Sequence, residues 1–207
     1  MVGPPRDAGR EAERLRAFFA LELGDAARAA AGALARALRE GPRGESVRWV
    51  REEKLHVTLC FLGDIAADRV DDLLREVATR TPAVAPFDLE LGRVHAFPSP
   101  RRFRVVALEV GPLEPLQRLA AAVTEGVVAA GLPVEERPFR GHLTLGRVRP
   151  RERAPDVTGP DTPDAEATGV TEVVLFRSEL EPRGSRYTPL GRAPLGAQPG
   201  AQPGSQR

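Results

Sequence analysis

Two of the three histidines in this 207-residue chain head nearly the same string, His56 in HVTLCFLG and His142 in HLTLGRV. In each, an apolar residue, a threonine and a leucine follow the histidine. Extended backbone alternates its faces with period two, so His56 and Thr58 share one face while Val57 and Leu59 anchor the other. The same holds for His142 and Thr144 over Leu143 and Leu145. Imidazole exchanges protons near neutral pH, so one ring can accept a proton while a second donates one. Two opposed imidazoles therefore suit in-line displacement at phosphorus, one activating water and the other protonating the leaving oxygen. Each threonine hydroxyl, about 6–7 Å further along its strand, can donate to a phosphoryl oxygen as charge builds there. A neighbouring guanidinium would complete such a site by clamping the phosphate with two parallel hydrogen bonds.

A lone His-x-Thr on a strand is ordinarily structural or simply exposed. Two copies in matching contexts, in a chain so poor in histidine, point instead to a site. Zinc is the other common use of paired histidines, and it needs three or four ligands. The remaining candidates are His95, Cys60 and carboxylates without ligand spacing, so neither a metal nor a cofactor is expected.

The elements that must hold these residues alternate along the chain. RAFFALEL (16–23) is an apolar strand, and Asp25 caps an Ala/Leu/Arg helix that Gly41-Pro42 stops after Glu40. VRWV (47–50) and LHVTLCFL (55–62) follow as strands, and Asp64 starts a second helix through IAADRVDDLLREVATR. FDLELGRVHAF (87–97) and RFRVVALEV (102–110) form an antiparallel pair, then a third helix spans 113–130. HLTLGRV (142–148), VTEVVLFRSEL (170–180) and SRYTPLGR (185–192) are the last strands. The motif appears once in each half after a similar strand–helix prelude. This order predicts an α+β fold of two pseudo-symmetric lobes, with antiparallel sheets flanking a central cleft. Residues 1–13 and the AQPG-repeating tail from 193 to 207 lack apolar periodicity and are expected to be disordered around one domain at 14–192.

Composition narrows the class further. A formal net charge of +1 demands no nucleic-acid partner by field alone, and Lys54 is the sole lysine among 30 basic residues. The single cysteine excludes an intrachain disulfide and fits a reducing compartment. No apolar run approaches the ~20 residues of a membrane span, and the N-terminus has no signal-peptide core. A cytoplasmic, membrane-free monomer is expected.

The paired motifs resemble the two-histidine phosphoesterase superfamily. Over about 15–192 the chain is similar to its RNA 2′,3′-cyclic phosphodiesterases, historically called 2′-5′ RNA ligases. The resemblance is carried in order by RAFFALEL, VRWVREEKLHVTLCFLGD, GRVHAFPSPRRFRVVALEV, ERPFRGHLTLGRV and VLFRSELEPRGSRYTPL. It implies the two-lobed LigT-like fold, with His56 and His142 as the catalytic pair and Thr58 and Thr144 contacting phosphate. It further implies that Arg147 grips the phosphate and that Phe61 packs on a nucleobase. Strict alternation puts Arg147 and Phe61 on the faces opposite their histidines, so each strand must end or bulge first. Gly146 is the permissive residue for that in the second motif. Gly141 departs from the proline that usually precedes the second histidine in the family.

The activity implied is metal-independent hydrolysis of a 2′,3′-cyclic phosphate, on RNA 3′ ends or nucleotides, to a 2′-phosphomonoester. Run backwards, the same site would join a cyclic end to a 5′-hydroxyl in a 2′-5′ linkage. The alternatives are a non-catalytic nucleotide- or RNA-end-binding module, and a hydrolase of 2′-5′ oligonucleotides or other cyclic phosphates. Elsewhere, His95 reads as structural or exposed and Trp49 as core. Cys60, on His56's face by alternation, reads as a small buried spacer. Arg101, Arg102, Arg137 and Arg140 form a candidate basic rim for RNA. The Pro- and Asp-rich segment 149–169 reads as an irregular loop.

Overall fold

β1 (Arg14–Glu22) is buried without interruption from Ala17 to Leu21, a pattern only an interior strand permits. The computed structural model, which describes residues 13–42, 44–99, 104–135, 137–152, 163–182 and 184–196, sets it between β3 (His56–Ala66) and β8 (Glu172–Glu181). The remaining strands are β2 (Val47–Trp49), β4 (Phe87–Phe97), β5 (Val105–Gly111), β6 (His142–Val148), β7 (Thr168–Val170) and β9 (Gly184–Pro194). The helices are α1 (Asp25–Glu40), α2 (Val70–Ala78) and α3 (Leu113–Ala129). The fold is α+β, as expected from the sequence.

The strands lie in the order β7-β4-β5-β6-β3-β1-β8-β9, with β2 attached to β6, and every recorded pairing is antiparallel. The two motif strands meet at the centre, where Val57 pairs with Leu143. Four strands of that order lie on either side of the seam, and β2 adds a fifth on the β6 side. An antiparallel pair centred on Val57 and Leu143 sets the His56 end of one motif against the Thr144 end of the other. A pseudo-two-fold axis thus passes between the motifs. The two halves form one curled sheet rather than separate sheets.

The helices tie the halves together. α1 packs under β2 and β6, and α3 under β3, so each helix covers the motif strand of the opposite half. Ala27, Ala31 and Ala35, spaced i, i+4, are the buried stripe of α1. Gly24 holds the N-cap position expected of Asp25, whose carboxylate instead pairs with Arg28 at 3.0 Å. One apolar core runs through both halves, from Phe19 and Leu21 to Leu108, Leu143 and Leu175.

Three boundaries differ from expectation. β3 continues past Asp64 to Ala66 because Ile65 pairs with Leu15 and buries there, and α2 begins only at Val70. The domain does not stop at 192: Ala193 pairs with Val173 and is fully buried, and Leu195 is buried beyond it. The Leu195 and Gly196 amides donate to the Thr171 and Val84 carbonyls, so 193–196 belong to the fold. The 149–169 segment ends in a strand, since Thr168–Val170 pair with Phe87–Leu89. Residues 153–162 of that segment, 1–12 and 197–207 lie outside the described residues. No helix among the described residues is long and apolar enough to cross a membrane.

Candidate active site

Both histidines are held in the same way. His56 Nδ1 lies 2.8 Å from the Lys54 carbonyl, and His142 Nδ1 lies 2.8 Å from the Arg140 carbonyl. A carbonyl oxygen can only accept, so each Nδ1 carries the proton and donates it. In the neutral ring this leaves the Nε2 lone pair as the free acceptor. The carbonyl two residues upstream thus fixes tautomer and ring orientation in both motifs.

The alternation problem is solved by a matching pair of β-bulges. Thr58 pairs with Ala20 but Cys60 with Phe19, so β3 advances two residues while β1 advances one. Thr144 pairs with Ala107 but Gly146 with Val106, the same event on β6. The extra residues are Leu59 and Leu145, each three positions after its histidine. A bulge shifts the alternation by one, so the fifth residue after each histidine returns to the histidine's face. Those residues are Phe61 and Arg147, which are mates across the pseudo-two-fold.

Phe61 is 54% exposed, with its ring 6.0 Å from that of Phe18, which lies 5.0 Å from His56. The positive charge of Arg147 acts on His56 and His142 alike. Cys60, expected on His56's face, is turned by the bulge into the core beside α3, and burial pushes its thiol up to about 11. Gly146 permits a close approach: a Cβ there would stand 2.4 Å from Val47 Cγ1 and 3.1 Å from Trp49 Cε3. Trp49 itself packs on the core and donates its indole N–H to the Gly44 carbonyl at 2.8 Å.

The surroundings of the two imidazoles differ. His56 sits over an aromatic patch built from Phe18, Phe176 and Tyr187, with the Tyr187 ring edge-on at 5.1 Å. His142 lies flat on Phe97, with centroids 3.9 Å apart and planes 18° from parallel. The Arg140 guanidinium sits 5.4 Å from the centre of the same phenyl ring and donates to the Pro98 carbonyl. Sequence reasoning missed Phe18, Phe97 and Tyr187, because each reads as an ordinary strand aromatic.

Burial is the chief cause that holds both imidazoles below their ordinary value of 6.5. The upstream carbonyls oppose it by favouring the protonated ring, while Arg147 lowers both further. His56 is also lowered by His142, and His142 by His95 and Arg140.

Thr58 and Thr144 are half-buried on the motif strands, with no hydrogen bond from either hydroxyl to another described residue. His95 stands closer to the motifs than the sequence suggests: it is half-buried, acts electrostatically on His142, and lines a cavity of about 650 Å³ with Phe97 and Arg140. A second pocket of about 150 Å³ adjoins His56, Phe18 and Tyr187. Of the expected basic rim, Arg140 is at the site, Arg137 faces Glu135 at 4.0 Å, and Arg101 and Arg102 lie outside the described residues. Among the described residues no three His, Cys, Asp or Glu side chains converge as a metal site would require.

The LigT like phosphoesterase family model matches twice, over residues 21–107 and 108–187, one copy for each motif. The chain belongs to that family. It is 31% identical over 181 residues to the RNA 2′,3′-cyclic phosphodiesterase of Methanothermobacter thermautotrophicus, covering 86% of this chain and 97% of the relative. The enzyme of the same name from Archaeoglobus fulgidus is 33% identical, with 85% and 98% covered. The crystal structure of E. coli LigT complexed with 3′-AMP superposes with a TM-score of 0.72 at 31% identity, over 88% of this chain and 99% of that one.

Proposed function

We propose that this protein is a metal-independent phosphodiesterase that opens the 2′,3′-cyclic phosphate of an RNA 3′ end or nucleotide, leaving a 2′-phosphomonoester. The observation that carries this is the matched pair of Nδ1-to-carbonyl hydrogen bonds, which leaves an Nε2 acceptor free on each of two imidazoles under the influence of one guanidinium. In this mechanism one Nε2 takes a proton from water as the water oxygen bonds to phosphorus. The bond from phosphorus to the 3′ oxygen breaks, and the other histidine, entering protonated, gives its proton to that oxygen. Thr58 and Thr144 donate to the non-bridging oxygens, and Arg147 clamps them where charge accumulates. Phe61, open to solvent, is a platform on which a base of the RNA stacks.

The names borne by the relatives support the same substrate class. Run backwards, the site would make a 2′-5′ linkage, but water at about 55 M outcompetes an acceptor hydroxyl unless that hydroxyl is held in place. The test is to incubate the EDTA-treated protein with a short RNA ending in a 2′,3′-cyclic phosphate and identify the product by chromatography. A 2′-phosphate product supports the proposal. An unchanged RNA, or turnover that needs added metal, refutes it.

A further inference from the structure

β1 ends beside the first motif, where Glu22 is the register partner of His56, so the two side chains leave adjacent strands on one face. Directly opposed pairs of this kind have Cβ atoms about 5 Å apart, within reach of a glutamate for an imidazole. Both residues line the pocket of about 150 Å³, among Phe18, Phe176 and Tyr187. A free carboxylate there would pair with the imidazolium and favour the charged ring. It would also fill Nε2 and set a negative charge where a phosphate must bind.

The carboxylate is turned the other way. Glu22 Oε2 accepts from Arg192 Nη1 at 2.8 Å, and the same nitrogen donates to Glu172. Arg192 lies on β9 opposite Val174 of β8, which is itself opposite Ala20 of β1. Its side chain therefore reaches across a whole strand, about 10 Å in sheet spacing, to hold Glu22. Arg28, Glu53 and Lys54 also line the pocket. Arg28 is engaged by Asp25 and the Leu23 carbonyl, and Glu53 faces Arg51 at 3.7 Å. The charges that act on His56 are those of Arg147 and His142 on β6.

We propose that Arg192 is a positioning residue: by holding Glu22 it keeps that carboxylate off His56 and leaves the ring's Nε2 to the reacting phosphate. The proposal rests on the phosphodiesterase reading above. Arg192 touches neither the histidine nor the substrate in this scheme, and it acts through Glu22 alone. Glu172, on the intervening strand, steadies the guanidinium.

The experiment titrates both imidazoles by NMR in the wild type, in Arg192→Gln, and in two double variants. These are Arg192→Gln/Glu22→Gln and Arg192→Gln/Glu172→Gln, which carry the same net charge as each other and as the wild type. Arg192→Gln should raise the His56 pKa by about one pH unit or more, and His142 by less. The double variant without Glu22 should return His56 to its wild-type value. The double variant without Glu172 should stay raised, because Glu22 keeps its charge there and has lost its partner. The limb of the kcat/KM pH profile that belongs to His56 should move with it. An unmoved His56 in Arg192→Gln, as when the released Glu22 turns to Lys54, overturns the proposal. Identical titrations in the two double variants overturn it as well, since net charge alone would then explain the shift. The titration needs no substrate, so it decides the role of Arg192 even if no cyclic phosphate is hydrolysed and the phosphodiesterase reading fails.

Discussion

Phe97 stacks face to face on His142 at 3.9 Å, whereas the mate of that imidazole across the pseudo-two-fold, His56, meets Tyr187 edge-on at 5.1 Å. The backbone that fixes Nδ1 is the same in both motifs, so the ring against each imidazole is where the two halves diverge. Phe97 shields one face of His142 from water. Replacing it with Leu should therefore lower kcat and raise the His142 pKa toward 6.5, because burial is the main cause of its depression. Phe97→Tyr should keep both near wild type. Imidazole titration by NMR, run beside the kinetics, separates this from general loss of structure.

Arg147 reaches the histidine face only through the bulge at Leu145. Arg147→Ala should cost about 100-fold or more in kcat/KM if the guanidinium stabilises transition-state charge. Arg147→Lys should recover only part, because an ammonium lacks the planar fork. Removing the charge should also move both histidine pKa values upward, since Arg147 adds to the lowering that burial begins. Two upward shifts in one titration are the signature; no shift at either histidine would contradict the placement of the Arg147 charge within reach of both.

The depressed histidines also set the direction of pH-dependent stability. Above pH 6.5 both are neutral, folded or unfolded, and contribute no slope. As the pH falls below 6.5 the unfolded chain takes up protons that the buried rings resist, so stability declines until the pH passes the folded values. Tm should fall between pH 7 and pH 5, and a His56→Gln/His142→Gln double variant should show a shallower decline. A slope unaltered by the double substitution would show that other groups produce it.

Much of this was legible in the sequence, for physical reasons that can be named. The His-x-Thr strings, the Ala stripe of α1 and the Gly41-Pro42 stop are local patterns, and local patterns survive folding. The bulges at Leu59 and Leu145 are not local: each is a mismatch of register with a neighbouring strand, and only the need for Arg147 and Phe61 to reach the cleft hinted at them. Cys60 was placed on the wrong face for the same reason. His95 looked remote because β4 lies far from either motif along the chain, yet β4 pairs with β5 and β5 with β6, which sets it one strand away from His142.

Ala193–Gly196 show the converse error. Their composition resembles the AQPG tail, but Thr81 Oγ1 donates to the Pro194 carbonyl at 2.7 Å and Leu195 is buried. Truncation after Arg192 should therefore destabilise the protein by about 3 kcal/mol, from one buried leucine and one satisfied hydroxyl. Thermal or denaturant melts of the truncated and full-length chains check this, and identical curves would contradict it.

The central claim is that His56 and His142 exchange the protons of one displacement at phosphorus. Its most direct measurement is single-turnover hydrolysis of a 2′,3′-cyclic phosphate RNA by His56→Ala and His142→Ala, with circular dichroism confirming that each variant is folded. The account predicts a loss of 10²–10⁴-fold for either substitution, about that expected for one positioned acid or base, and no restoration by added divalent metal. Near-wild-type turnover by either folded variant would contradict it.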